Sequence, residues 1–358
     1  MTIITSALTI IQLLYWYLIY SAPKNTDGID KKETELSITT IICAKDELSN
    51  LKHNLPNIIG QNQNNHKIIV ADDGSTDGTT QFLKRIDSEK KDFQYYEVRQ
   101  NKPGKKQALV EAIAVSQTNH ILLTDADCQP STPRWASSMA SMIQDDQTMV
   151  VLGYGPIRKQ ASLLSRWCHF EAWLTAIQYI SYAIKGMPYM GVGRNLLYDK
   201  RALPHDALAK YSHLASGDDD LTIMQMATKE NTVVNLDPES FVYSDSPATL
   251  LGYWRQKRRH YSTASSYKLS HQALLGGYSL SQMLFYGCIS YMLIVGNVKL
   301  AVVFLVLRWL LLLPQVILLR KIFRAEFSWI TFPFYDIMQT ISYIVFSFAV
   351  LFPQKTKW

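Results

Sequence analysis

The chain has 358 residues and a formal net charge of +6, enough length for one large domain with added elements. That charge is modest and its basic residues gather beside apolar stretches, which excludes nucleic acid as the expected partner and favours a membrane surface. Cys43, Cys128, Cys168 and Cys288 lie far apart with no Cys-x-x-Cys spacing, which excludes a zinc ribbon or a disulfide scaffold and reads as free thiols in a reducing compartment.

In chain order, residues 2–20 come first, an apolar run long enough for one membrane helix. No side-chain positive charge precedes it and no small-residue cleavage site follows, so a signal peptide is the weaker reading. Lys24, Lys31 and Lys32 follow, placing its carboxyl end on the cytoplasmic side. Residues 22–36 read as a polar linker. Ile38 to Cys43 read as a strand, followed by a helix through about Ile59. Strand 68–71, helix 78–86, strand 94–98, helix 105–116 and strand 120–124 continue the alternation. That alternation implies a mostly parallel sheet covered on both faces. After about residue 130 the rhythm changes to aromatic-rich helical stretches such as Arg166 to Trp173, suited to shaping an acceptor site. Residues 277–296, 299–319 and 332–352 are three further candidate spans. Arg320, Lys321 and Arg324 mark the last connection as cytoplasmic. The basic tail 354–358 then lies outside, against the charge rule, which leaves a re-entrant last segment open.

Two strands end in carboxylates. Lys67-Ile-Ile-Val-Ala-Asp-Asp-Gly-Ser-Thr-Asp77 delivers Asp72 and Asp73, and His120-Ile-Leu-Leu-Thr-Asp-Ala-Asp127 delivers Asp125 and Asp127. Ligands of open α/β sheets bind just outside the carboxyl ends of the strands. Acids gathered there suit a hard cation and a polar ligand. The bland alternative is helix capping and turn formation, with Ser75 or Asp77 capping the next helix. Asp218, Asp219 and Asp220 precede a helix from Leu221 to Ala227, where acids also favour a helix N-terminus. Tyr253-Trp-Arg-Gln-Lys-Arg-Arg-His-Tyr261 is aromatic and basic, as an interfacial amphipathic helix would be.

Five motifs occur in order: Ile41-Ile-Cys-Ala-Lys-Asp-Glu47, Asp72-Asp-Gly-Ser-Thr-Asp77, Asn101-Lys-Pro-Gly-Lys105, Thr124-Asp-Ala-Asp127 and Ser216-Gly-Asp-Asp-Asp-Leu221. Their spacing resembles that of family 2 glycosyltransferases, in particular membrane members of the cellulose, hyaluronan and poly-N-acetylglucosamine synthase type and lipid glycosyltransferases. The resemblance covers roughly residues 37–262. It implies an α/β fold: a GT-A, Rossmann-like nucleotide-diphospho-sugar transferase domain with a mostly parallel sheet, plus transmembrane helices. It implies that Ala44, Glu47, Asp72, Asp73, Lys105 and Asp125 meet the nucleotide, with Asp72 preferred over Asp73 for base and ribose. It implies Mg²⁺ or Mn²⁺ on Asp127, with Asp125 sharing it. Aligning Leu221 with the leucine that follows the family's acids makes Asp218 the general base, with Asp219 next in line. Gly193, Arg194 and Asn195 fall in a glycine-containing segment that meets the acceptor in the family. Gln256 and Arg259 match a Gln-x-x-Arg motif that faces acceptor and diphosphate, but His260 stands where the family's tryptophan is expected, which argues against long-chain polymer synthesis.

The expectation is an inverting hexosyl transferase with an N-terminal span 1–21, a linker 22–36, a catalytic domain 37–245, an interfacial segment 246–275, membrane helices 276–353 and a tail 354–358. Its partners are a nucleotide-sugar donor, expected to be a UDP-sugar, a lipid or lipid-linked glycan acceptor, and membrane lipids; an oligomer stays open. The catalytic domain faces the cytoplasm from a multi-pass position in the cytoplasmic membrane. A processive polysaccharide synthase is the alternative enzyme, and an inactive nucleotide-sugar-sensing scaffold the alternative of another class.

Overall fold

The structure, a computed structural model, describes residues 1–20, 34–99, 104–204 and 217–349. The expected linker over 22–33, the start of the Asn101 motif, Ser216 and the tail lie outside the described residues. The chain divides into two bodies. One comprises Pro23–Arg158 and Ala183–Ser246; the other comprises Met1–Ala22, Lys159–Tyr182 and Pro247–Lys355. Residues 159–182, expected inside the catalytic domain, therefore group with the apolar helices.

The first body is built on a seven-stranded sheet. Its strands are β1 (Ile38–Ala44), β2 (His66–Asp72), β3 (Phe93–Glu97), β4 (His120–Leu123), β6 (Val150–Gly153), β7 (Leu196–Asp199) and β8 (Thr232–Asn235). A short pair, β5 (Gln129–Pro130) and β9 (Val242–Tyr243), forms a second sheet. The order is β3-β2-β1-β4-β7-β6-β8. β1 runs parallel to β2 and β4, and β2 to β3; β7 alone runs antiparallel to both neighbours. The expected strands and helices of residues 38–124 are present, with Leu48–Ile59, Thr79–Glu89 and Lys105–Val115 as the helices. Central strands buried on both faces need continuous apolar runs, and β1, β2 and β4 supply them. Ile42, Val70 and Leu122 are fully or almost fully buried in one core with Leu51, Leu55 and Trp135.

The register decides where the chemistry goes. Ala44 pairs with Asp72, and Ile41 with Leu123, so β1, β2 and β4 end at the same edge of the sheet. Asp72, Asp73, Asp125 and Asp127 are thereby delivered to one side. The antiparallel β7 begins at that edge, which brings the preceding Gly193 and Arg194 there too.

In the second body two helices are long and apolar enough to cross a membrane: Thr2–Ile19 and Val298–Ile322. The expected segments at 277–296 and 332–352 are also helical, in Leu269–Ile294 and Phe332–Ala349. They are interrupted by polar residues such as Gln282, Asp336 and Gln339, all buried. Asp336 accepts hydrogen bonds from Arg308, Gln282, Tyr286 and Trp309, while Arg308 also donates to Gln12. One ion pair thus ties together the helices Thr2–Leu14, Leu269–Ile294, Val298–Ile322 and Phe332–Ala349.

Candidate active site

Lys105 opens the helix Lys105–Val115 directly after Gly104. Its ammonium lies 2.8 Å from Asp125 Oδ1 and 3.4 Å from Asp218 Oδ2. Burial alone would lower the Lys105 pKa; Asp125, Asp218 and Asp219 outweigh it and hold the ammonium well above its ordinary range. Burial likewise pushes Asp218 up, but Lys105 and then Lys106 overcome it, and the Asp218 carboxyl sits below its usual value. Asp218 is therefore an ionised, partly exposed carboxylate with one well-defined cation beside it.

Asp219 differs. Its Oδ2 accepts from the Gly193 N–H at 2.8 Å and its Oδ1 from the Asp220 N–H at 2.8 Å. Burial and the neighbouring Asp218 and Asp220 outweigh these bonds and push the Asp219 carboxyl up to about 7. Asp219 is the N-cap of the helix Asp220–Met226, so the bland reading of helix capping holds for this acid. Asp220 is buried and accepts from the Leu221 N–H, which orders the turn. Gly217, just before the three acids, has φ of 98°, and a Cβ there would meet Leu221 Cδ1 at 2.6 Å. The turn that aims Asp218 therefore requires glycine.

Asp125, Asp127 and Cys128 place their potential ligand atoms within 4.8 Å of one another. Asp127 is exposed, yet its surroundings and Asp125 raise its carboxyl pKa. Two carboxylates that repel each other at a strand end suit a hard divalent cation with oxygen ligands. Cys128 donates its thiol to Asp127 Oδ1 at 3.2 Å, and burial followed by Asp127 pushes the thiol pKa far up. Arg194 Nε donates to the Gly155 carbonyl at 2.9 Å, and its charge lowers the Asp127 carboxyl pKa.

At the β2 end the two acids differ in their protein partners. Asp72 Oδ1 accepts from the Ser75 N–H and hydroxyl, and Oδ2 from the Thr80 hydroxyl at 2.6 Å. Its carboxylate fastens the turn after β2. Asp73 takes one bond from Lys45 at 3.1 Å, and its buried Oδ1 accepts none among the described residues. Asp46, at a φ of 55°, accepts from the Thr76 N–H, and Asp77 accepts from the Leu48 N–H, so the loops after β1 and β2 are fastened together. Ala44, buried, ends β1 and Glu47 sits on the loop that follows; burial raises the Glu47 carboxyl against a bond from Asn50.

Asn195 requires a correction. It is fully buried, accepts from Trp135 Nε1 at 2.9 Å, and donates to the Tyr154 and Ser240 carbonyls. Every polar atom of its amide is used inside the fold, which leaves nothing for an acceptor. Gly193 contributes its N–H to Asp219, as described above. Gln256 and Arg259 lie on the helix Leu250–Tyr261 of the other body, both half-buried. Lys257 on the same helix pairs with the buried Glu171 at 3.0 Å. Sequence reasoning missed Lys45, whose place beside Asp73 needed the register, and Asn54, which donates to the Ala126 carbonyl between the two metal-site acids.

The Rossmann-like sheet with acids at its parallel strand ends and an antiparallel β7 has the GT-A fold. Residues 39–203 match the model of the Glycosyl transferase family 2 and form a domain of that family. It is 24% identical over 256 residues to a poly-beta-1,6-N-acetyl-D-glucosamine synthase of Staphylococcus aureus (strain COL), a match covering 70% of this chain. The chain spans only 60% of that relative's length. A mannosyltransferase of Pyrobaculum calidifontis, solved in complex with GDP-Man and Mn²⁺, superposes with a TM-score of 0.61 at 16% identity, over 96% of this chain and 98% of the other. TarS 1-349 of S. aureus gives 0.45 at 14% identity, over 66% of this chain and 68% of the other.

Proposed function

We propose that this chain is a membrane-bound, divalent-metal-dependent inverting transferase that moves a sugar from a nucleotide-sugar donor, a UDP-sugar, to a lipid or lipid-linked glycan. The observation that carries the reading is the Lys105 ammonium joining Asp125 of the acid pair to Asp218. Asp127 and Asp125 would hold Mg²⁺ or Mn²⁺, which when bound offsets charge on the departing diphosphate. The Mn²⁺ held by the Pyrobaculum enzyme supports that choice of ion class. Asp73, with its unused buried oxygen, takes the base and ribose role first expected of Asp72. Asp218 accepts the proton of the acceptor hydroxyl as that oxygen attacks the anomeric carbon. Its low pKa keeps it ready as a carboxylate at neutral pH. Lys105 lies where it can pass its charge from the two acids to the leaving phosphates. Arg259, a planar fork of donors, serves the diphosphate with Gln256, and Arg194 the acceptor side.

The catalytic body faces the cytoplasm, where nucleotide sugars are made, and the basic residues flanking the apolar segments support this orientation. A second reading, a processive polysaccharide synthase, is favoured by the similarity to the staphylococcal synthase. The test is transfer by the purified full chain. A panel of nucleotide sugars is supplied with Mn²⁺ or Mg²⁺, and release of the nucleoside diphosphate is measured. Lipids from cells with and without the chain are compared by mass spectrometry. A single sugar added to a lipid supports the proposal; a growing polymer supports the second reading; no turnover with any donor, despite binding, leaves only an inactive scaffold.

A further inference from the structure

The second body contains a cavity of about 220 Å³, and none of its lining residues belongs to the acid cluster described above. Its floor is aromatic: Phe327 and Tyr335 are buried, and Tyr335 stacks on Phe170 with ring centroids 4.7 Å apart. Its rim is cationic: Lys159 and Arg166 are exposed, and neither forms an ion pair among the described residues. The hydroxyls of Ser328 and Thr331, both exposed residues, complete the polar side. The loop that closes the cavity is held in place. His169 Nε2 accepts from the Glu326 N–H at 3.0 Å, and Arg320 donates to the Phe327 carbonyl at 2.9 Å. A ring accepting at Nε2 carries its proton on Nδ1, so the neutral His169 is an anchor here and the charge comes from Lys159 and Arg166.

Two cations outside any ion pair among the described residues, with the Ser328 hydroxyl beside them, select an oxyanion with several acceptor oxygens, such as a phosphate, while the Thr331 hydroxyl donates to the Ser328 carbonyl. The aromatic floor is surplus to a free phosphate ion and suits an ester carrying carbon. Next to the lining residues in sequence, Trp329 and Ile330 are 42% and 68% exposed on the short turn leading into the helix Phe332–Ala349, and Phe334 is 59% exposed in that helix's first turn. Exposed Trp and Phe next to basic residues mark headgroup depth. We propose that this cavity binds the phosphate headgroup of an anionic lipid, with Lys159 and Arg166 on the phosphate and the turn at Trp329 among the acyl chains. The cavity shares no residue with the acid cluster, and its test reads binding rather than transfer, so failure here leaves the transferase reading intact.

The experiment is native mass spectrometry of the purified full chain in neutral detergent, titrated with phosphatidylglycerol or phosphatidylcholine. The wild type should retain phosphatidylglycerol at one per chain, at least about tenfold more tightly than phosphatidylcholine. The double variant Lys159→Gln/Arg166→Gln should lose that preference, and Lys159→Arg/Arg166→Lys should keep it. Thr331→Trp, which fills the cavity without touching a charge, should lose the lipid as well and guards against a double variant that does not fold. Equal retention of the two lipids by the wild type would overturn the proposal. So would undiminished phosphatidylglycerol binding by the double glutamine variant. Displacement of the lipid by millimolar inorganic phosphate would assign the cavity to a free anion and overturn the lipid.

Discussion

Lys105 Nζ and Asp218 Oδ2 lie 3.4 Å apart, and the same ammonium lies 2.8 Å from Asp125. Lys105 is the larger of two cations that hold the candidate base ionised. Lys105→Met should leave only Lys106 and a backbone bond to oppose burial at Asp218, so its pKa rises. The carboxylate is the active form, so activity should be lost at higher pH on the acid side. At saturating donor, the acid limb of kcat should move up by about 1–3 pH units. An unmoved limb would remove Asp218 from the base role or Lys105 from its neighbourhood.

Asp127→Asn should abolish metal-dependent transfer while leaving the fold intact. The substitution removes a charge and a ligand oxygen from the acid pair, so compensation of the leaving diphosphate is lost. Thermal unfolding should be close to that of the wild type in chelator, since Asp127 is exposed. Near-normal turnover at saturating Mn²⁺ would count against the assignment.

Asp218→Asn should keep donor binding and reduce transfer by about 10²–10⁴, the usual contribution of a general base. Asp219→Asn should retain most activity, because its carboxylate is engaged by the Gly193 and Asp220 N–H groups. Calorimetric titration with UDP separates binding from chemistry. The opposite pattern, Asp219→Asn inactive and Asp218→Asn active, would move the base by one residue.

Asp219 also predicts a pH dependence of stability. Its folded pKa is raised from an ordinary 3.8 to about 7. In that window the folded chain holds a proton that the unfolded chain has released. The stabilisation is complete below the unfolded value and is lost as pH rises through the folded one. Asp219→Asn removes this titration. In chelator, the unfolding midpoint of the variant should fall less than that of the wild type from acid to neutral pH. Parallel curves would show that Asp219 is ionised throughout.

Much of the first body was legible in the sequence because its signals are local. Apolar runs ending in acids mark β1, β2 and β4, and parallel pairing then carries the acids to one edge without further information. What could not be read depends on contacts distant in sequence. Asp72 and Asp73 are adjacent and chemically alike; Thr80 and Ser75 claim one, and Lys45 the other. Asn195 sits in a glycine-containing segment, yet Trp135, sixty residues away, takes its oxygen. The grouping of residues 159–182 with the apolar helices left no mark in composition, since a buried helix is aromatic and apolar whichever body it packs in.

The last prediction concerns the Arg308–Asp336 pair, whose side chains are 0% and 3% exposed. Breaking a buried pair by removing one partner costs about 3–5 kcal/mol, because the remaining charge keeps its desolvation penalty without its counter-charge. The two single variants should not be equal. Arg308→Met leaves Asp336 with donors from Gln282, Tyr286 and Trp309. Asp336→Leu leaves Arg308 with only the Gln12 bond among those recorded for the pair. Asp336→Leu should therefore lower the unfolding midpoint more. The double variant Arg308→Met/Asp336→Leu removes both charges, and replacing a whole buried pair with apolar side chains is often neutral or stabilising. It should recover most of the loss, and the recovery measures how far the pair acts as a unit. Scanning fluorimetry in detergent reads all three. Additive losses in the double variant would mean that each residue holds its helices through separate contacts, and that the ion pair is incidental to the bundle.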